Sequence, residues 1–152
     1  LPTIQHCVQQ VENIKNTNYS TIVDLDVTSP LRNVDDIINS VSMLEKSNSP
    51  NLITGCSSRR SPYFNLVEKN KSGFVQLSKK LSKKIVCRQD SPLCFDMNAS
   101  IYIWKRKFFF NIEDILLKKT IIYEMPEERS IDVDTKFDLK IVKFLMENND
   151  EI

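Results

Sequence analysis

One stretch limits the fold more than any other. Residues 20–32 run Ser-Thr-Ile-Val-Asp-Leu-Asp-Val-Thr-Ser-Pro-Leu-Arg, an apolar, β-branched run halted by a proline. Ile22, Val23, Leu25 and Val27 predict a buried parallel strand. Pro30 removes a ladder donor and turns Ser29 away from helix, so the chain must leave the sheet there. Asp24 and Asp26 are two apart, and a strand would point both to one face. Asp26 also falls near the carboxyl end of the strand, where open α/β sheets bind their ligands. An acid followed by a polar turn and Arg32 suits a charged ligand, and it suits equally a strand terminus whose Asp caps the turn.

The rest of the chain sets bounds on chemistry. Its 152 residues suffice for one α/β domain with a core. It starts at Leu1 directly on a helical pattern, so an upstream part is expected. Lys and Arg number 21 against 20 Asp and Glu, which argues for neither a nucleic-acid nor an anionic-membrane partner. No apolar run is long enough to span a membrane. Cys7, Cys56, Cys87 and Cys94 form no C-x-x-C pair and His6 is the sole histidine, so zinc and Ser-His-Asp chemistry are disfavoured. Reduced, mostly buried thiols in a cytoplasmic protein are expected instead. With Gly55 and Gly73 the only glycines, the chain holds no Gly-rich phosphate loop.

Ile4, Cys7, Val8, Val11 and Ile14 recur at helical spacing and predict a helix over 2–15. Asn33 can cap a second helix, with Asp35 and Asp36 in its first turn and Ile37, Val41 and Leu44 on its buried face. Residues 51–57 read as a second core strand, completing a βαβ unit. Residues 63–68 and 74–77 flank Asn70-Lys71-Ser72-Gly73, which is hairpin chemistry. Lys79, Lys80, Lys83 and Lys84 form a cationic, solvated run, and residues 87–98 read as irregular. Residues 99–104 and 120–125 are further strands. Residues 105–110 read as a short helix whose three phenylalanines need a core. Residues 130–134 form a short alternating strand. Thr135 suits the N-cap of a last helix, with Asp138 three residues on as a weaker relative of the capping box and Phe137, Ile141, Phe144 and Leu145 as the apolar stripe.

Asp132 and Asp134 are the sharpest candidate pair. Side by side on a strand they would repel unless a cation lay between them, and a hard divalent ion such as Mg2+ bound through phosphates fits. The alternative is that Asp134 caps the last helix while Asp132 is solvated. Arg88 and the Arg59-Arg60 pair could grip a carboxylate or could be plain surface cations. Asn98 and Tyr102 could donate hydrogen bonds to a polar ligand or serve the protein itself.

Four segments together resemble one family. Residues 24–32 are similar to the Leu-Gln-Pro-Thr-Ser-Pro-Leu-Arg segment of the acylneuraminate cytidylyltransferases (CMP-sialic acid synthetases). Arg88-Gln89-Asp90 and Asn98-Ala99-Ser100-Ile101-Tyr102 resemble their Arg-Gln and Asn-Gly-Ala-Ile-Tyr segments, and Ser130-Ile131-Asp132-Val133-Asp134-Thr135 resembles their Ser-Ile-Asp-Ile-Asp-Thr signature. The resemblance implies a three-layer, Rossmann-like α/β nucleotide-diphospho-sugar-transferase fold with a mixed sheet. It implies that residues 1–152 are a cytidylyltransferase domain, the C-terminal two-thirds of the enzyme, without its CTP-binding segment. Residues 60–98 would be a hairpin-containing dimerisation or substrate insertion of a homodimer. The implied reaction joins CTP and a nine-carbon acidic keto sugar into a CMP-sugar and pyrophosphate, with Mg2+, for surface glycans. Asp132 and Asp134 would hold the metal, Arg88 the sugar carboxylate, and Tyr102, Asp26 and Asn98 the sugar. Asp26 stands where sialic acid enzymes carry Gln, and Asp96 where some carry Arg. With residues 60–65 these departures resemble members acting on legionaminic or pseudaminic acid. A CMP-Kdo synthetase is the enzymatic alternative, and a non-catalytic sugar-acid-binding or dimerisation module the other. Residues 1–152 alone are expected to be inactive, since none of them can cradle a triphosphate.

Overall fold

The structure, a computed structural model, describes residues 1–82 and 87–148, with Arg88 described by its backbone alone. Lys83 and Lys84 of the lysine run lie outside the described residues. Two units are present, and each is taken by itself. One comprises residues 1–56 with 97–152, the other Ser57–Asp96.

In the larger unit, helix α1 (Pro2–Lys15) carries proline in its first turn, where a missing N–H costs no hydrogen bond. It ends at Asn16, whose φ of 47° is the left-handed geometry that terminates helices. Strand β1 (Thr21–Leu25) leads through the 26–33 turn to α2 (Val34–Lys46). The start of α2 is closed by a reciprocal cap, in which Asn33 Oδ1 accepts the Asp36 N–H and Asp36 Oδ2 accepts the Asn33 N–H. Strand β2 (Asn51–Ser57) follows. Strands β3 (Val67–Lys69) and β4 (Val75–Leu77) belong to the smaller unit. The long strand β5 (Phe95–Lys105), the one-turn helix α3 (Arg106–Phe109), β6 (Ile121–Glu124) and α4 (Lys136–Asn148) complete the chain.

The main sheet has the order β1-β5-β2-β6. β1 pairs antiparallel with β5, from Thr21 opposite Lys105 to Leu25 opposite Ile101, and β2 pairs parallel with β6. Lys105 bonds to Pro50 and Ile101 to Thr54, so β5 runs against β2 as well. The sheet is mixed, with one reversed strand inside it. β1 is therefore an edge strand paired antiparallel, where its apolar run predicts a buried parallel one. It shares the direction of β2, but β5 lies between them. An edge strand needs no apolar residue on its outer side, and Val27, past its end, is 90% exposed. β5 starts at Phe95, earlier than the irregular stretch to 98 allows.

Helices cover both faces. Leu44, Leu52, Ile101, Ile103 and Met125 form a core on the α2 side, joined by Ile37 and Val41. Ile22, Trp104 and Phe109 form the other, closed by Leu1, Ile4 and Val8 of the α1 side. Each such side chain fully removed from water contributes about 1.5–3 kcal/mol, so these two clusters hold the three layers together. The chain's phenylalanines divide accordingly: Phe109 is buried, while Phe108 and Phe110 stay partly exposed because a single turn of helix has one inward side. Of the stripe expected on α4, Ile141 and Leu145 are half-buried, but Phe137 and Phe144 are exposed and Val142 is the buried residue. None of the four cysteines is fully buried, against expectation: Cys7 and Cys87 are exposed and Cys56 and Cys94 intermediate, because each sits on a helix flank, a strand end or a loop rather than in either core. Among the described residues no helix is long and apolar enough to cross a membrane.

In the smaller unit β3 and β4 form the expected hairpin. Asn70 Oδ1 accepts the N–H groups of Ser72 and Phe74, and Gly73 supplies the φ of 90° that the turn requires. The strand over 63–68 is confined to Val67–Lys69, because the carbonyl of Ser61 collects the N–H groups of Phe64, Asn65 and Leu66 into a turn.

Ala99 carries a φ of 50°, the left-handed region that costs an L-residue about 1–2 kcal/mol. It stands where the resembled segment has glycine. Ala99→Gly is expected to stabilise the protein by about 0.5–1 kcal/mol, the relieved strain exceeding the added unfolded-state entropy. Denaturant unfolding checks this, and a less stable variant would show that the backbone there is unstrained.

Candidate active site

The turn after β1 is built from its own polar groups. Asp26 Oδ1 accepts the Thr28 N–H at 2.9 Å and the Thr28 hydroxyl at 2.8 Å. Those two bonds, with a smaller contribution from the Arg32 charge, hold the Asp26 carboxyl below its ordinary range. β1 ends at Leu25, and Asp26 makes one further backbone bond to β5, its N–H donating to the Ser100 carbonyl at 3.2 Å, before its side chain closes the Asx turn. The reading of Asp26 as a turn-capping acid is thus present in the structure, and its outer oxygen, Oδ2, remains for a ligand. Arg32 Nη1 donates to the carbonyls of Asp26, Ser29 and Ser100, which fastens the turn to the sheet and directs this cation inward rather than toward a ligand.

Asn98 is 2% exposed and ties three segments together. Its Oδ1 accepts the Thr54 hydroxyl of β2 at 2.7 Å and the Ser100 N–H at 3.2 Å. Its Nδ2 donates to Ser130 Oγ at 2.9 Å and to Met125 Sδ at 3.3 Å, and its carbonyl accepts the Ser29 hydroxyl at 3.0 Å. The amide that sequence offers as a ligand donor works within the protein.

The acid-bearing segment is not a strand. Residues 130–134 take no ladder, so the shared face expected for Asp132 and Asp134 does not arise from pleating. Ser130 instead turns its hydroxyl back to the Pro126 carbonyl, and the Val133 N–H donates to the Thr28 carbonyl at 2.9 Å. That last bond lays the segment against the Asp26 turn. Asp132 is half-buried and Asp134 exposed. Burial first, then the charge of Asp134 and more weakly those of Asp26 and Asp138, hold the Asp132 carboxyl above its ordinary range. The acids are therefore close enough to repel one another. Asp134 is not the cap of α4: Thr135 Oγ1 accepts the Asp138 N–H at 3.2 Å, and Asp138 Oδ2 accepts the Thr135 N–H at 2.7 Å.

Tyr102, opposite Asp24 in the ladder, is half-buried and stacks on Trp104 with ring centroids 6.0 Å apart. Burial raises the pKa of its hydroxyl, and the charges of Asp26, Asp132 and Asp24 raise it further. Tyr102, Asp26 and Asp132 thus share one electrostatic neighbourhood at the carboxyl end of β1. Arg88 lies in the smaller unit, in a 3-10 turn over Arg88–Asp90. That unit holds a pocket of about 350 Å³ lined by Ser57, Arg60, Ser61, Gln89 and Cys94 among others.

Sequence reasoning missed Arg129. Its guanidinium forks onto Asp36, Nε to Oδ2 at 2.8 Å and Nη2 to Oδ1 at 2.9 Å. The pair is 93 positions apart, and Asp36 reads locally as a first-turn acid, so nothing in the linear pattern joins them. Thr28, Ser29 and Ser130 lie inside the motif segments, but nothing in their local sequence marks the bonds they make.

Among the described residues no group of three or more His, Cys, Asp or Glu could hold a metal ion. Two carboxylates with hard oxygen donors and an unfavourable mutual charge do suit a cation whose other ligands are phosphates and water, the manner in which Mg2+ is held.

Asn98→Ala is expected to cost about 2–3 kcal/mol, since it takes away the acceptor of the Thr54 hydroxyl and the Ser100 N–H and the donor to Ser130, while the backbone carbonyl that holds Ser29 stays. An unfolding midpoint equal to the parent's would show that the network is dispensable.

No family model matches the chain. It is 39% identical over 146 residues to post-translational flagellin modification protein B of Campylobacter coli, covering 96% of this chain. It is 37% identical over 149 residues to CMP-N,N'-diacetyllegionaminic acid synthase of Campylobacter jejuni, again covering 96% of this chain. The chain spans 61% of the length of each relative. Among solved structures it resembles 4-diphosphocytidyl-2C-methyl-D-erythritol synthase from Anaerococcus prevotii, with a TM-score of 0.55 at 10% identity over 91% of this chain and 65% of that one. This likeness shows the three-layer α/β fold. The sequence likeness to these two relatives extends over nearly the whole of this chain.

Proposed function

We propose that this chain is part of a cytoplasmic enzyme of the acylneuraminate cytidylyltransferase family, one that activates a nonulosonic acid with CTP, giving a CMP-sugar and pyrophosphate for glycan biosynthesis. The observation that carries the reading is the meeting of the Asp26 turn with the Asp132–Asp134 segment through the Val133–Thr28 bond. It lays the segment of Asp132 and Asp134 against the turn of Asp26 near the carboxyl end of β1, where α/β sheets receive ligands, and this supports the roles read for them. The legionaminic-type sugar of the Campylobacter jejuni relative is the substrate class favoured here.

In this reading Asp132 and Asp134 hold Mg2+, which when bound supplies charge neutralisation for the triphosphate and leaving pyrophosphate. Asp26 accepts hydrogen bonds from sugar hydroxyls through its outer oxygen. Tyr102 offers its hydroxyl to the same ligand, and its pKa, raised by burial and the surrounding acids, keeps that proton in place at neutral pH. Asn98 contributes by holding Ser29 and Ser130 rather than by touching sugar. Arg88 grips the sugar's carboxylate in a fork that Lys could not reproduce. Proximity supplies much of the rate when the anomeric hydroxyl is held in line with the α-phosphate.

Asp134→Asn in the complete enzyme carrying this chain tests the metal role. The cap of α4 belongs to Thr135, so the melting temperature should stay at the parent value. The kcat should fall on the order of 10²-fold, several kcal/mol of charge stabilisation being lost, with partial recovery at high Mg2+. Parent turnover at all Mg2+ concentrations would return Asp134 to a surface residue.

We also propose a homodimer formed through the β3–β4 hairpin. Val67, Phe74 and Val75 are 54%, 74% and 67% exposed within their unit, an apolar surface of the kind that marks interfaces. Phe74→Asp with Val75→Asp is expected to give a folded monomer by sedimentation equilibrium, and a persistent dimer would place the interface elsewhere.

A further inference from the structure

Arg129 closes the short 3-10 turn Glu127–Arg129 after β6 and lies three positions before Asp132. Its guanidinium meets a carboxylate with a second duty. Asp36 is fully buried, and the same Oδ2 that accepts from Arg129 Nε accepts the Asn33 N–H at 3.1 Å. Asn33 directly follows Arg32, which fastens the Asp26 turn to the sheet. One carboxylate thus joins the end of that turn to the beginning of the acid-bearing segment. Two neutral bonds lie further along, Asn98 to Ser130 at 2.9 Å and Val133 to Thr28 at 2.9 Å. The fork is the only charge-assisted and bidentate member of the three, and so the stiffest.

We propose that Arg129 is a positioning residue that sets the place of Asp132 and Asp134 relative to the Asp26 turn through its grip on Asp36. The inference rests on the reading of those two acids as the metal pair. A small displacement of reacting groups costs far more rate than stability, so this grip matters to chemistry beyond its part in folding.

The molecule contains its own control. Arg106 forks onto the buried Glu12 with the same geometry, Nε to Oε1 at 2.7 Å and Nη2 to Oε2 at 2.8 Å. That pair joins α3 to α1 and touches neither the Asp26 turn nor the acid-bearing segment. Lys in place of either Arg leaves a cation beside the buried acid and removes the fork.

In the complete enzyme, Arg129→Lys and Arg106→Lys should lower the melting temperature comparably. Arg129→Lys alone should lower kcat about tenfold or more, with the KM for the sugar acid unchanged. It alone should weaken Mn2+ binding, followed by electron paramagnetic resonance without CTP, by about tenfold. Parent kcat and parent Mn2+ affinity in Arg129→Lys would overturn the inference, as would equal losses in Arg106→Lys. Asp132→Asn separates the two levels. If it binds Mn2+ and turns over like the parent, the metal reading falls and the inference with it. If it is impaired while Arg129→Lys is not, the inference falls alone. Should Arg129→Lys fail to fold, Ser130→Ala loosens the same segment one residue on, and the same two assays should show smaller losses in it; parent values there would overturn the proposal.

Discussion

The carboxamide of Asn98 is the constraint on which the site depends. A buried amide is costly unless both its donor and its acceptor sides are met. Here the acceptor side is met by β2 and the donor side by the segment after β6, while the carbonyl of the same residue holds the turn after β1. Three stretches remote in sequence therefore satisfy one residue. No one of them can shift without leaving a polar group unpaired in the interior. The left-handed backbone of Ala99 comes directly after it, where the strand bends to keep this arrangement.

What was legible in the sequence was what neighbours in sequence decide. The Asn33 cap, the Thr135–Asp138 cap and the Asn70–Gly73 turn are each closed by residues within four positions, and each appears as read, the return bond from the Asn33 N–H to Asp36 being added by the structure. Helices α1 and α2 follow from apolar spacing alone. What was not legible depends on distant partners. Whether β1 is an edge or an interior strand turns on where β5 inserts, and no property of residues 20–32 carries that information. An alternating run such as 130–134 favours a strand only if a neighbour offers a ladder; here Ser130 and Val133 find other partners first. Spacing alone left Asp132 and Asp134 between a metal pair and a helix cap, and Asp26 and Tyr102 between ligand contacts and internal uses; the resemblance chose among these, and the structure adds a shared electrostatic neighbourhood for Asp26, Asp132 and Tyr102. For Asn98 the two open readings, ligand donor and internal strut, could be separated only by seeing Thr54, Ser29 and Ser130 around it.

Both forked ion pairs bury an acid against a partly exposed arginine, Glu12 with Arg106 and Asp36 with Arg129. Removing either arginine would leave a carboxylate in the interior, a situation proteins tolerate poorly. In each case the acid also accepts a backbone N–H, from Tyr19 or from Asn33, so its charge is divided between a side chain and the start or end of a local element. The pairs therefore act as joints between secondary structures rather than as isolated contacts.

The strand order carries a consequence for how the molecule assembles. β1 and β2 are near in sequence and joined by α2, yet they share no ladder, because β5 lies between them. A chain emerging residue by residue has made both outer partners long before the central strand exists. Until Ile101 and Ile103 arrive, Leu44 and Leu52 lack half of their core, and Ile22 lacks Trp104. Such long-range closure slows folding and leaves apolar surface waiting in the meantime. The same insertion makes the finished sheet hard to open from one side, since withdrawing β5 unpairs two neighbours at once.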